Sequence, residues 1–184
     1  MHKLIITILG KDRPGIITAV AKSLYRLDCN LENVNQMILQ NEFAGLFIVE
    51  PPDNLDKAAI KEKLKKDLKG SGLHIHVNTI DPNGNTTGDA KEELFLITTI
   101  GPDQKGLVAR ITEIIAKYNV NVTNLKAVFK GGDDPKANIM SYEVAITPEN
   151  DQAGLFSELR KKADELQLEI SIQHKNIFKT INKI

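Results

Sequence analysis

Along the first half of the chain the spacing of apolar residues changes repeatedly, and each change marks an element. Lys3 to Leu9 is a short, β-branched, nearly continuous apolar run ended by Gly10, which predicts a central strand buried on both faces. From Gly15 the apolar residues Ile16, Ile17, Val20, Ala21, Leu24 and Leu27 recur at helical spacing, so a helix follows to about Asp28. Pro14 suits its first turn, and Asp12 stands ahead of it as a capping acceptor. Leu31 to Leu39 and Ala44 to Val49, separated by the polar Gln40-Asn41-Glu42, read as a hairpin that Pro51-Pro52 stops. Asn54 or Asp56 caps an amphipathic helix carrying Ile60, Leu64 and Leu68, and Gly70-Ser71-Gly72 ends it. Leu73 to Val77 then alternates with period two, giving the order βαββαβ.

The second half repeats the series. After the polar, turn-rich stretch Asp81 to Ala90 come a strand (Leu94 to Ile100), a helix (Leu107 to Tyr118) and a hairpin (Val122 to Phe129 with Ile139 to Ile146). A helix (Asn150 to Leu166) and a strand (Leu168 to Gln173) complete it. Gly10, Asp12, Gly15, Asn30 and Asn33 recur 91 positions later as Gly101, Asp103, Gly106, Asn121 and Asn124. Apolar positions match in kind at the same offset, Val20 with Ile111 and Leu24 with Ile115 among them. A repeat of half the chain is too long for a solenoid and long enough to fold alone. The expected division is a domain over 1–82, a linker over 83–92, a second domain over 93–176 and a tail over 177–184. A βαββαβ order packs two helices on one face of a four-stranded antiparallel sheet, so the fold class is α+β with two tandem ferredoxin-like domains. Such sheets leave edges that can pair, and the two are expected to meet edge to edge or face to face. The hairpin connection Lys130 to Lys136 is a candidate contact loop.

Composition narrows the function. A hydrophobic content of 41% supports packed cores, whereas 24 Lys and Arg against 24 Asp and Glu leave no excess of positive charge. The balance also holds locally, with eleven basic and ten acidic residues in 1–82, so direct recognition of nucleic acid is not expected. The lysines of Lys57 to Lys69 are interleaved with acids and read as a solvated helix face. Cys29 stands alone, which rules out an intrachain disulfide and suits a reducing compartment. The first apolar run is too short for a signal segment or a spanning helix, so a cytoplasmic protein without membrane association is expected.

The strand-to-helix turn is the place in each half where chemistry concentrates. Gly10 and Gly101 end the first strand at a tight turn, and Gly15 and Gly106 open the helix where a missing Cβ admits a ligand to free N–H groups. A helix N-terminus attracts a carboxylate, and Asp12 or Asp103 can accept from an ammonium, so the turn has the chemistry to hold an amino acid. The plainer reading is that the glycines serve the turn and the aspartates cap the helix. A phosphate loop is excluded, because Ile16-Ile17 and Leu107-Val108 stand where lysine and a hydroxyl residue are required. His74 and His76 share one strand face but lack further metal ligands, and Cys29 has no histidine close in sequence. No enzyme, cofactor or metal is therefore expected.

Asp12-Arg13-Pro14-Gly15-Ile16, a helix, and then Asn30-Leu31 at the start of a second strand resemble an ACT domain, a small amino-acid-sensing module. Asp103-Gln104-Lys105-Gly106-Leu107 with Asn121-Val122 resembles a second copy, and together they span essentially the whole chain. The tandem without a catalytic domain is similar to the glycine cleavage system transcriptional repressor group. The resemblance implies a small amino-acid ligand, glycine or serine, bound between two modules. It assigns the ligand-binding residues as Asp12, Arg13, Pro14, Gly15, Ile16, Asn30 and Leu31, and as Asp103, Gly106, Leu107, Asn121 and Val122. It also implies a homo-oligomer, a dimer, and a transcription factor as partner. The second copy departs from the Arg-Pro form through Gln104 and Lys105. The rival reading is a module for protein assembly that binds no small ligand and uses its strand edges.

Overall fold

In the computed structural model, which describes residues 2–80, 92–128 and 138–176, the chain divides into two units, residues 1–86 and 87–184. Most of the expected linker, Phe129, the Lys130 to Lys136 connection and the tail lie outside the described residues. The first unit runs β1 (Lys3–Lys11), α1 (Ile16–Arg26), β2 (Asn30–Leu39), β3 (Glu42–Glu50), α2 (Lys57–Asp67) and β4 (His74–Ile80). The second runs β5 (Glu93–Gly101), α3 (Leu107–Lys117), β6 (Asn121–Val128), β7 (Asn138–Ile146), α4 (Gln152–Glu165) and β8 (Glu169–His174). The strands are ordered β2-β3-β1-β4 and β6-β7-β5-β8, antiparallel throughout. This is the ferredoxin-like arrangement, twice.

Both helices of a unit pack on one sheet face. In the first unit Leu4, Ile6 and Ile8 of β1 share a core with Val20 and Leu24 of α1 and Ile60 of α2. The other face of β1 is uncovered, with Ile5 and Thr7 half-buried and Leu9 exposed, so the strand is central but not buried on both faces as its composition suggests. A continuous apolar run cannot report that only one face receives helices.

Each helix pair is fastened by side-chain hydrogen bonds, from different groups in the two units. Ser23 is fully buried and its hydroxyl donates to Asp67 Oδ2 at 2.7 Å, while Arg26 Nη2 reaches the same oxygen at 2.9 Å. These hydrogen bonds, the serine's first, hold the Asp67 carboxyl below its usual range. In the second unit Lys117 and the Tyr118 hydroxyl both donate to Glu158. Asp56 caps α2 by accepting from the Ala59 N–H, whereas Asn54 does not. The cap of α4 is Asp151. Asn150 instead accepts from Thr147 and donates to the Tyr118 carbonyl. Among the described residues no helix is long and apolar enough to cross a membrane.

Candidate functional site

The two strand-to-helix loops are built alike. Gly15 has φ 92° and Gly106 φ 83°, left-handed values that favour glycine, and an added Cβ at Gly15 would meet only open space. Neither helix has a side-chain cap, so the capping role expected of Asp12 is not realised. The backbone bonds that begin the helices run from Ala19 N–H to the Gly15 carbonyl (2.9 Å) and from Arg110 N–H to the Gly106 carbonyl (3.0 Å). The N–H groups ahead of them in the first turn are left for another acceptor, at the positive end of the helix dipole.

Gly10 and Gly101 have a different task from the one their sequence context suggests. They do stand at the ends of their strands, Gly10 last but one in β1 and Gly101 last in β5, but a Cβ on either would strike Leu73 Cδ2 at 2.8 Å or Leu168 Cδ2 at 2.7 Å. Each admits the connection between the second helix and last strand of its unit. The first loop is further held by its own hairpin, because the Asp12 N–H donates to the Asn41 carbonyl at 2.8 Å. Gln40 and Asn41 form a two-residue turn with left-handed φ values of 47° and 67°. Asn41 was recognisable as a turn residue, but nothing in the sequence marks its carbonyl as the anchor of the loop.

Asp12, Arg13, Pro14 and Gly15 are exposed, and so are Asp103 and Gly106. The side chains of Asp12, Arg13 and Asp103 have no partner among the described residues. Ile16 and Leu107 are core residues, each 2% exposed, so only their backbone can line a site. The second loop differs at the Arg13 position, where Gln104 Nε2 donates to the Leu166 carbonyl at the end of α4 (2.8 Å). That side chain closes a helix end in its own unit, a role the sequence did not reveal.

Asn30 and Leu31 lie far from the first loop. The register sets Asn30 against Glu50 and Leu39 against Glu42, while Glu42 also faces Lys11 at the loop end of β1. Loop and Asn30 are therefore at opposite ends of β2, which at ten residues is roughly 30 Å long. The second unit repeats this, with Asn121 against Ala145 and Gly101 against Asn138. One unit by itself brings neither set together.

The edge between the two ends is bare. Every residue of β2 is exposed, including Leu31, Val34, Met37, Ile38 and Leu39. Asn30 to Leu39 holds no proline or lysine, the usual guards of an open edge. Its one irregularity is a bulge at Glu32, which pairs with Lys3 at 2.8 Å. His74 and His76 face the open side of the sheet beside Leu9 and Thr7. No group of three metal-binding side chains occurs among the described residues.

Comparison with known proteins agrees with this architecture. A UPF0237 protein of Methanocaldococcus jannaschii is 32% identical over 89 residues, 48% of this chain and 96% of the relative. One of Corynebacterium glutamicum is 37% identical over 76 residues, 41% of this chain and 85% of the relative. Each relative thus matches the length of one unit. A solved structure of an unknown protein from Galdieria sulphuraria covers 94% of this chain and 98% of its own with a TM-score of 0.77, at 19% identity. A provisionally named glycine cleavage system transcriptional repressor covers 94% and 96% with a TM-score of 0.70, at 18% identity. These two likenesses carry the fold alone. The ACT domain model matches residues 2–78 and again 93–173, and the chain belongs to the ACT domain family as a tandem of two such domains.

Proposed function

We propose that the chain is a non-catalytic regulatory protein that binds a small amino acid, glycine or serine, where the first loop of one module meets the start of β2 in a second module. The observation that carries this reading is the separation of Asp12 from Asn30 along a wholly exposed edge strand. Antiparallel pairing of β2 with the β2 of a second copy sets Asn30 of one against Leu39 of the other. Leu39 adjoins the Gln40–Asn41 turn that holds Asp12, so a two-fold dimer completes the site twice. In it the carboxylate takes the N–H groups at the start of α1, and the ammonium takes the Asp12 carboxylate. Asn30 offers both a donor and an acceptor to the zwitterion. The second loop is the weaker candidate, because Gln104 is committed to Leu166.

Ligand binding at such an interface favours the arrangement that binds it better, and a partner reads the change. We take the partner to be a transcriptional regulator, so that contact with DNA is indirect, in keeping with the balanced charge. The setting is the cytoplasm, where the lone thiol stays reduced. Crystals soaked with a mixture of glycine, serine, alanine and threonine test the reading. Density is expected beside Asp12 at an interface between modules. Empty loops in a dimer joined through β2 would instead make this an assembly module.

A further inference from the structure

The two cores differ at the end where the loops enter. Unit 1 has Ile8 and Phe43 on the inner sheet face, and unit 2 has Thr99 and Asn138 at the corresponding register positions. Thr99 is 0% and Asn138 4% exposed, and Thr99 Oγ1 and Asn138 Oδ1 have no hydrogen-bond partner among the described residues. Thr99 pairs with Met140, and Asn138 with Gly101, so the two polar side chains are diagonal neighbours on one face. Diagonal neighbours in a sheet stand about 7–8 Å apart, and the two oxygens make no direct bond to each other, an arrangement that one bridging atom would complete. Tyr142 follows Met140 on the same face, and its hydroxyl donates to the Met140 sulfur at 3.3 Å. Burial pushes that phenol up to about 12, so it stays protonated.

We propose that the core of the second unit encloses an ordered water molecule that bridges Thr99 and Asn138. The water accepts from the Thr99 hydroxyl and donates to Asn138 Oδ1. Buried water is found where a polar recess offers two to four such partners, and unit 1, with Ile8 and Phe43 there, has no equivalent. The proposal is independent of the amino-acid reading.

The test is a crystal structure of the full chain at a resolution that resolves single waters, with melting curves of the wild type and Thr99→Val. An isolated peak about 2.7–3.1 Å from both Thr99 Oγ1 and Asn138 Oδ1 is expected. The nearly isosteric valine should lower the Tm by roughly 4 °C, because it removes one anchor of the water and leaves Asn138 less satisfied. A dry site, or a direct partner for either oxygen, overturns the proposal. So does a valine variant that melts no lower than the wild type, since deleting a truly unpaired hydroxyl stabilises a core. If the variant fails to fold, the wild-type density decides alone.

Discussion

Two kinds of glycine surround each loop, and substitution separates them. At Gly10 the obstacle is a neighbour, since a new Cβ meets Leu73 Cδ2 at 2.8 Å and the Gly72 carbonyl at 3.1 Å. Gly10→Ala is expected to cost about 1–3 kcal/mol in denaturant unfolding, in the manner of an overpacked core. At Gly15 the obstacle is the backbone itself, with nothing in the way of a Cβ, and Gly15→Ala should cost about 1 kcal/mol. The sequence carries the glycines but not this distinction, because a close approach depends on a residue 63 positions away, Leu73. Gln104 shows the same limit. In the sequence it is only a departure from Arg13, and its bond to the Leu166 carbonyl needs the folded helix α4. Gln104→Ala should lower stability by about 1 kcal/mol and leave amino-acid binding at the first loop unchanged, as unfolding and titration would check.

At the scale of elements the hydrophobic periodicity shows the fold almost intact. Among the described residues twelve elements occur in the expected order, and α1 and α3 even end alike, on left-handed Asp28 (φ 57°) and Asn119 (φ 54°). Hydrophobic spacing could not reveal how the helices are tied to each other, because Ser23 and Asp67 look like ordinary polar surface positions. Their bond gives a pH dependence of known sign. The folded Asp67 carboxyl titrates below its unfolded value, so it contributes stability above the unfolded pKa of about 3.9 and loses it as pH falls through the folded value. Glu158, lowered chiefly by its hydrogen bond from Lys117 and next by that from Tyr118, acts in the same direction in the other unit. Melting curves between pH 6 and pH 3 should therefore show a smaller acid-induced drop for Asp67→Asn than for the wild type. An unchanged drop would remove the α1–α2 fastening from the account of acid sensitivity.

The duplication gave the architecture of the whole molecule, and one unit's register gave what the motif left open. Asp12 and Asn30 belong to one resemblance in the sequence, yet Asn30 opens β2 while Asp12 lies in a loop beyond its far end, so one unit alone keeps them apart and the proposed site draws on a second module. No spacing along a chain can state that, because it concerns an edge that remains open after one unit has folded. Ile38→Glu, placed on an exposed edge position, should leave the fold intact and shift sedimentation toward the monomer. The same substitution should weaken amino-acid binding, since it separates the halves of the site. Asp12→Ala should do so without changing assembly, by tenfold or more for one lost charge-assisted hydrogen bond, with stability held within about 0.5 kcal/mol.

Calorimetric titration of the wild type, Asp12→Ala and Asn30→Ala with glycine and with serine tests the shared site most directly. Saturable heat in the wild type, lost to a similar degree in both variants although the two residues stand at opposite ends of β2, is the predicted result. Wild-type heat that either substitution leaves untouched, or no heat with either amino acid, would contradict it.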